Sequence, residues 1–113
     1  MLSNIEIIGI YTMTLLYHFD WDIGKARTNQ TKHAVSFRLA TTVFRDTLSI
    51  TIYDDEHSEF EDRWVTMGQA ENGQILVVVH TFSTVNSTEI NVRIISARRA
   101  DKQEVRVYEE MPR

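Results

Sequence analysis

Asn72-Gly73-Gln74-Ile75-Leu76-Val77-Val78-Val79 is the stretch on which the fold turns. Five consecutive aliphatic residues, 75–79, predict a central strand covered on both faces, because a half-buried strand would alternate with polar residues. Asn72-Gly73 before them predicts a tight hairpin turn, since both residue types tolerate positive φ. The run must then pair with a strand upstream, over residues 63–67. Further upstream, Leu48, Ile50 and Ile52 alternate with Ser49 and Thr51, the period of a half-buried strand. Downstream, residues 83–88 are rich in Ser, Thr and Asn and read as a long, mobile loop. Residues 92–97 form another strand. Residues 101–110 carry good helix formers, with Val105 and Tyr108 on one side.

The N-terminal half changes period. Residues 15–19 read as a short first strand. Asp22 is an N-cap for a helix over 23–32, and His33-Ala34-Val35 forms a turn. Ser36 is a second N-cap, followed by Phe37, Ala40, Val43 and Phe44 at helical spacing, with both phenylalanines facing inward. The whole is α+β: a twisted, mostly antiparallel sheet with an N-terminal helical hairpin and a C-terminal helix, the helices packed mainly on one side.

The 113 residues fit one domain and show no repeat or linker. Residues 1–17 are read as an N-terminal extension or first strand, and 18–113 as the domain proper. The first segment carries Glu6 and lacks a basic start or a small-residue cleavage site, so it does not read as a signal peptide. It is too short and polar to span a bilayer. Met13 is an alternative start. The chain has no cysteine, which excludes disulfides and thiolate metal sites and suits a reducing, cytoplasmic setting.

The net charge of −4 argues against a nucleic-acid binder that works by bulk positive charge. Distribution matters more. Asp54, Asp55, Glu56, Glu59, Glu61 and Asp62 crowd one stretch, while Arg93, Arg98, Arg99, Lys102 and Arg106 collect later. A local basic patch can hold phosphates on an acidic molecule. There is no Walker loop, glycine-rich dinucleotide turn or nucleophile elbow. The four histidines lack metal-ligand spacing, so neither metal nor cofactor is expected.

RNA cleavage needs a base for the ribose 2′-hydroxyl, charge stabilisation for the phosphorane and a proton for the leaving oxygen. Arg63 either grips a phosphate bidentately or pairs with Glu61 or Asp62. Strict alternation places Arg93 opposite Val92, Ile94 and Ser96, where it must reach a carboxylate, a phosphate or the sheet edge. His57 is a proton carrier in a polar loop or a solvated loop histidine. Lys25 and Lys32, seven apart, share a helix face that either tracks RNA or is simply solvated. Arg98 and Arg99 start the turn into the last helix. Tyr108 packs its ring on the sheet with its hydroxyl at the rim. His80 is a satisfied border residue.

The same residues resemble a known family. Phe19-Asp20-Trp21-Asp22, Lys25-Ala26, Asn29, Lys32-His33, Val35-Ser36-Phe37, Ala40, Val43-Phe44 and Asp46 look like its first half. Asp55-Glu56-His57-Ser58, Glu61-Asp62-Arg63-Trp64 and Gly68 match its centre. Leu76-Val77-Val78, Thr81, Arg93-Ile94-Ile95-Ser96-Ala97-Arg98, Ala100, Glu104 and Tyr108 match its end. The family is BrnT, and the resemblance spans residues 18–110. It implies a RelE-like fold and a toxin that cuts RNA without a metal and arrests growth. It also implies neutralisation by a BrnA-like antitoxin whose ribbon-helix-helix part alone contacts operator DNA. Within that pattern Arg63, Arg93 and His57 are the expected catalytic residues, with Arg98, Lys32, Lys25 and Tyr108 binding RNA. A non-catalytic, antitoxin-holding module is the alternative. Ala34 stands where the family favours glycine and Thr47 where it favours proline. The segment before Val92 is longer than the family's arginine-bearing hairpin.

Overall fold

The structure, a computed structural model, describes residues 15–112. The expectations for residues 1–14, including a start at Met13, lie outside the described residues. Strand β1 (Leu16–Trp21) leads into helix α1 (Ile23–His33). Helix α2 (Phe37–Thr41) tightens into a 3-10 turn, Thr42–Arg45. Strands β2 (Ile50–Tyr53), β3 (Trp64–Gln69), β4 (Ile75–Thr84) and β5 (Glu89–Arg99) follow, then helix α3 (Lys102–Glu110). They form one five-stranded sheet in the order β1-β5-β4-β3-β2. Only β1 pairs in parallel, with β5; the other ladders are antiparallel. The boundary expected at residue 18 falls inside β1.

Capping explains where the helices begin. Asp22 accepts from Lys25 N at 2.9 Å, and Ser36 accepts from Leu39 N at 3.0 Å. Asp101 and Glu104 form a reciprocal capping box on α3. Helix α1 ends at Ala34, whose φ of 57° lies in the left-handed region, with its N–H bonded to Gln30 O. The alanine-for-glycine departure therefore falls on the one position in this turn where a Cβ is penalised.

The aliphatic run is the middle strand, as its composition requires. Leu76 and Val78 join Val92, Ile94 and Ala97 of β5 and Val35, Phe37, Ala40 and Val43 of the helical hairpin in one buried cluster. Burying each Leu, Ile, Val or Phe side chain contributes about 1.5–3 kcal/mol. Phe44 packs on the cluster's margin with Tyr17 and Phe19, and Phe37 is buried. Val77 points to the other face, where it lines a groove with Gln103, Glu104 and Val107 of α3 and with Met111 just after it. The helices are thus divided: α1 and α2 cover one face, and α3 lies against the other.

Three local expectations are corrected. Only Gly73 takes a positive φ in the β3–β4 hairpin (90°), because the turn spans Ala70 to Gly73 and closes with Ala70 N donating to Gln74 O. Asn72 contributes its side chain instead, accepting from Gln74 N at 3.1 Å. The expected loop over 83–88 shrinks to four residues, since β4 runs to Thr84 and β5 starts at Glu89. Asn86 stiffens that tip by accepting from Thr88 N and donating to Glu89. Finally, His80 is interior rather than at a border: it is 2% exposed, within β4.

His80 Nδ1 meets Thr81 O at 3.2 Å, so that nitrogen carries the proton, and Nε2 accepts from Thr66 Oγ1 at 2.7 Å. Burial lowers its pKa from 6.5 to about 4. The unfolded chain therefore takes the proton first, and stability falls as pH drops from 6.5 towards 4, by about 3 kcal/mol from this residue. Urea midpoints across that window should show the loss, and His80→Gln should flatten it.

Two further outcomes are expected from urea denaturation. Ala34→Gly should stabilise by about 0.5–1 kcal/mol, by relieving the left-handed alanine. Asn29 is buried, donates to Val35 O and Ala97 O and accepts from Ala97 N. Asn29→Leu should cost about 2–4 kcal/mol by stranding those backbone groups.

Candidate active site

The arginines are sorted by a bulge. The β4–β5 register runs Val78–Ala97, Val79–Ser96 and then His80–Ile94, so Ile95 has no partner. Strict alternation, expected from sequence, would put Arg93 and Ala97 on one face. With the bulge, Ala97 instead joins Val92 and Ile94 in the core, and Arg93 shares the opposite face with Ser96 and Arg98. Arg93 lies between Thr81 of β4 and Asp20 of β1 in register.

Arg63 reaches the same place from the other side. The loop between β2 and β3 is closed by Asp54 N donating to Arg63 O at 2.8 Å. Ser58 braces it: its hydroxyl donates to Asp54 O and accepts from Arg63 N. Alternation from Val65 sends the Arg63 side chain to Arg93's face. Glu61 sits between them. It takes a bidentate pair from Arg93 Nη2, at 2.9 and 2.7 Å, and lies 3.8 Å from Arg63 Nη2. Arg63 makes no side-chain hydrogen bond among the described residues. Its Nε is buried without a partner, and the side chain as a whole is only 32% exposed. The guanidinium is thus mostly withdrawn from water, ion-paired with Glu61, and leaves its hydrogen-bond donors unused.

His57 lies on a single 3-10 turn, Asp55–His57, and lines an open cleft of about 330 Å³ with Arg63, Glu61, Glu56, Glu59 and Phe60. Its Nδ1 is 3.1 Å from both Asp54 carboxylate oxygens. A carboxylate only accepts, so Nδ1 carries the proton and Nε2 is the basic nitrogen. Arg63 and Arg93 thus approach one carboxylate, Glu61, while His57 lines a cleft with Arg63 and Glu61 and is itself paired with Asp54.

The remaining candidates divide. Lys25 and Lys32 share one groove of about 470 Å³ with Thr28, His33, Ile95 and Ser96, beside the bulge. Arg98 is instead spent on Glu104, with Nη1 and Nη2 at 2.8 and 2.9 Å from its two oxygens. That pair drags the Glu104 carboxyl down to about 2. Tyr108 is buried, and its hydroxyl donates to Asp46, which also accepts from Gln69 N and Leu48 N. Both residues fasten α3 in place.

Sequence reasoning passed over two elements of this face. Glu61 appeared only as a possible partner of Arg63, although its firm contact is Arg93, 32 residues away. His18 stands two residues from Asp20 on β1, and its Nε2 donates to Glu89 at 2.7 Å, across 71 residues. Alternation in β1 was the only available signal for it. Among the described residues no three His, Asp or Glu side chains form a metal-ligand group, and no helix is long and apolar enough to cross a membrane.

The fold is similar to that of the Brucella abortus ribonuclease toxin BrnT, known from a 1.1 Å crystal structure. The TM-score is 0.50 at 24% identity, covering 80% of this chain and 100% of that one. At that identity the likeness speaks for the fold. No curated protein sequence matches the chain. The sequence profile described as "Ribonuclease toxin, BrnT, of type II toxin-antitoxin system" matches residues 21–104, which takes in the site from Asp22 to Glu104. The chain therefore belongs to the BrnT family of ribonuclease toxins of type II toxin–antitoxin systems.

Proposed function

We propose that this protein is a growth-arresting endoribonuclease that cleaves RNA at the Arg63–Arg93 site without a metal. The observation that carries the reading is the convergence of two guanidiniums on one carboxylate, with Arg63 left without a hydrogen bond. A phosphodiester entering there replaces Glu61 as the anion between them. Two guanidiniums stabilise phosphorane charge more than ground-state charge, which is what lowers the barrier. His57 Nε2 takes the 2′-hydroxyl proton, with Asp54 steadying the imidazolium. The 2′-oxygen then bonds to phosphorus as the bond to the 5′-oxygen breaks. The products are a 2′,3′-cyclic phosphate and a 5′-hydroxyl, whose proton comes from solvent in the open cleft. The groove of Lys25 and Lys32 holds flanking phosphates.

The partner in this reading is a BrnA-like ribbon-helix-helix antitoxin that silences the enzyme and carries the only contact with operator DNA. The acidic stretch around Glu61 meets a basic antitoxin surface favourably. The toxin works in the cytoplasm.

One observation favours a second reading. Glu61 already fills the place of a phosphate on Arg93, as expected of a non-catalytic module that only holds antitoxin. Cleavage assays separate the two. Arg63→Ala and Arg93→Ala should each lower the single-turnover rate by about 10²–10³-fold with unchanged urea midpoints. Lys25→Ala and Lys32→Ala should weaken RNA binding and reduce the salt slope by about 0.7 each. If purified wild-type protein cuts no RNA yet binds antitoxin tightly, the non-catalytic reading stands.

A further inference from the structure

Phe60 is 94% exposed, the highest value among the exposed large hydrophobics of the described residues. It lies between Glu59 and Glu61 in the loop that carries His57, and it lines the cleft shared with Arg63. A ring this exposed contributes almost nothing to the core. Glu56 and Glu59 line the same cleft, and among the described residues neither carboxylate takes part in a hydrogen bond or ion pair. Arg63 contributes the buried Nε that lacks a partner. The cleft, of about 330 Å³, is therefore bounded by a free aromatic face, acceptor-only oxygens and a guanidinium that is ion-paired with Glu61 but makes no side-chain hydrogen bond.

We propose that this cleft is a nucleobase subsite selective for guanine, next to the scissile phosphate; the inference rests on the ribonuclease reading. A flat guest suits the Phe60 ring, because every base presents a π-face for stacking. Hydrogen bonding then chooses among the bases. A carboxylate offers two acceptors and no donor. Guanine alone presents two adjacent donors, N1–H and the 2-amino group, on its Watson–Crick edge. Adenine and cytosine each place a ring acceptor beside the amino group, and uracil flanks its single N–H with two carbonyls. A carboxylate oxygen facing those acceptors is repelled. Arg63 takes the phosphate attached to the bound nucleoside.

The test is binding of the four ribonucleoside 3′-monophosphates to the full chain, followed by amide chemical shifts. It is paired with cleavage of RNAs differing only in the nucleotide at the cut. Guanosine 3′-monophosphate should bind about tenfold tighter than the other three, and cleavage should favour guanosine by a similar factor. Phe60→Ala, at an exposed position, and Glu59→Gln should each remove most of that preference. Arg63→Ala should weaken all four nucleotides alike. Equal affinities, or a guanosine preference that survives both variants, would overturn the subsite while leaving RNA cleavage in place. Loss of antitoxin affinity in Phe60→Ala with nucleotide binding unchanged would also overturn it, by assigning the cleft to protein. Absence of cleavage of every RNA would remove the ribonuclease reading and this inference with it.

Discussion

One residue too many in β5 governs the rest of the molecule. With Ile95 bulged out of the β4–β5 ladder, the side chains before and after it can serve different masters. Val92, Ile94 and Ala97 all reach the core, while Arg93 and Arg98 both reach the opposite face. Without the bulge, five residues of separation would put those two arginines on opposite faces, and one guanidinium would have to enter an apolar layer. The bulge is held from the side. Strand β1 stops at Trp21, opposite Ile94, so β5 continues as an edge. The Asn29 amide then takes the place of a neighbouring strand by bonding both the N–H and the C=O of Ala97.

The acidic net charge and the phosphate-binding reading are reconciled at Glu61. A guanidinium exposed alone on this face would attract any anion. A tethered carboxylate on Arg93 that also approaches Arg63 offsets part of their charge. Arg93 and Glu61 are half and 38% exposed, so the pair is screened by water and weak enough to exchange. The case for a nuclease would have failed had the arginines faced opposite sides, each with its own carboxylate. They face one way and share one.

Much of the fold was legible because it depends on local signals. Asp22 and Ser36 announce helix starts through side chains three residues from their targets. The 75–79 run announces a central strand by composition alone. The bulge was not legible: Arg93-Ile94-Ile95-Ser96-Ala97 reads as an ordinary apolar strand, and only pairing with β4 shows which residue is surplus. The hairpin at Asn72-Gly73 was placed correctly but its turn geometry was not, since the residue pair is compatible with more than one loop length. For the site, residue types pointed to Arg63, Arg93 and His57, yet the connecting Glu61 lies in a charge run where nothing marks one acid over its neighbours.

The same face shows why two arginines five residues apart have different fates. Arg98 lies where β5 turns into α3, and there Glu104 is fixed by the helix itself, its oxygen also accepting from Asp101 N. That carboxylate cannot swing away without uncapping the helix, so Arg98 is committed to structure. Glu61 is held by no cap; it rides on a loop whose closure is braced at Ser58 and does not use the Glu61 carboxylate. What distinguishes a guanidinium available to substrate from one that is not is therefore the anchoring of its carboxylate partner. By that criterion Arg93 is the less firmly committed of the two, and Arg98 the more firmly committed.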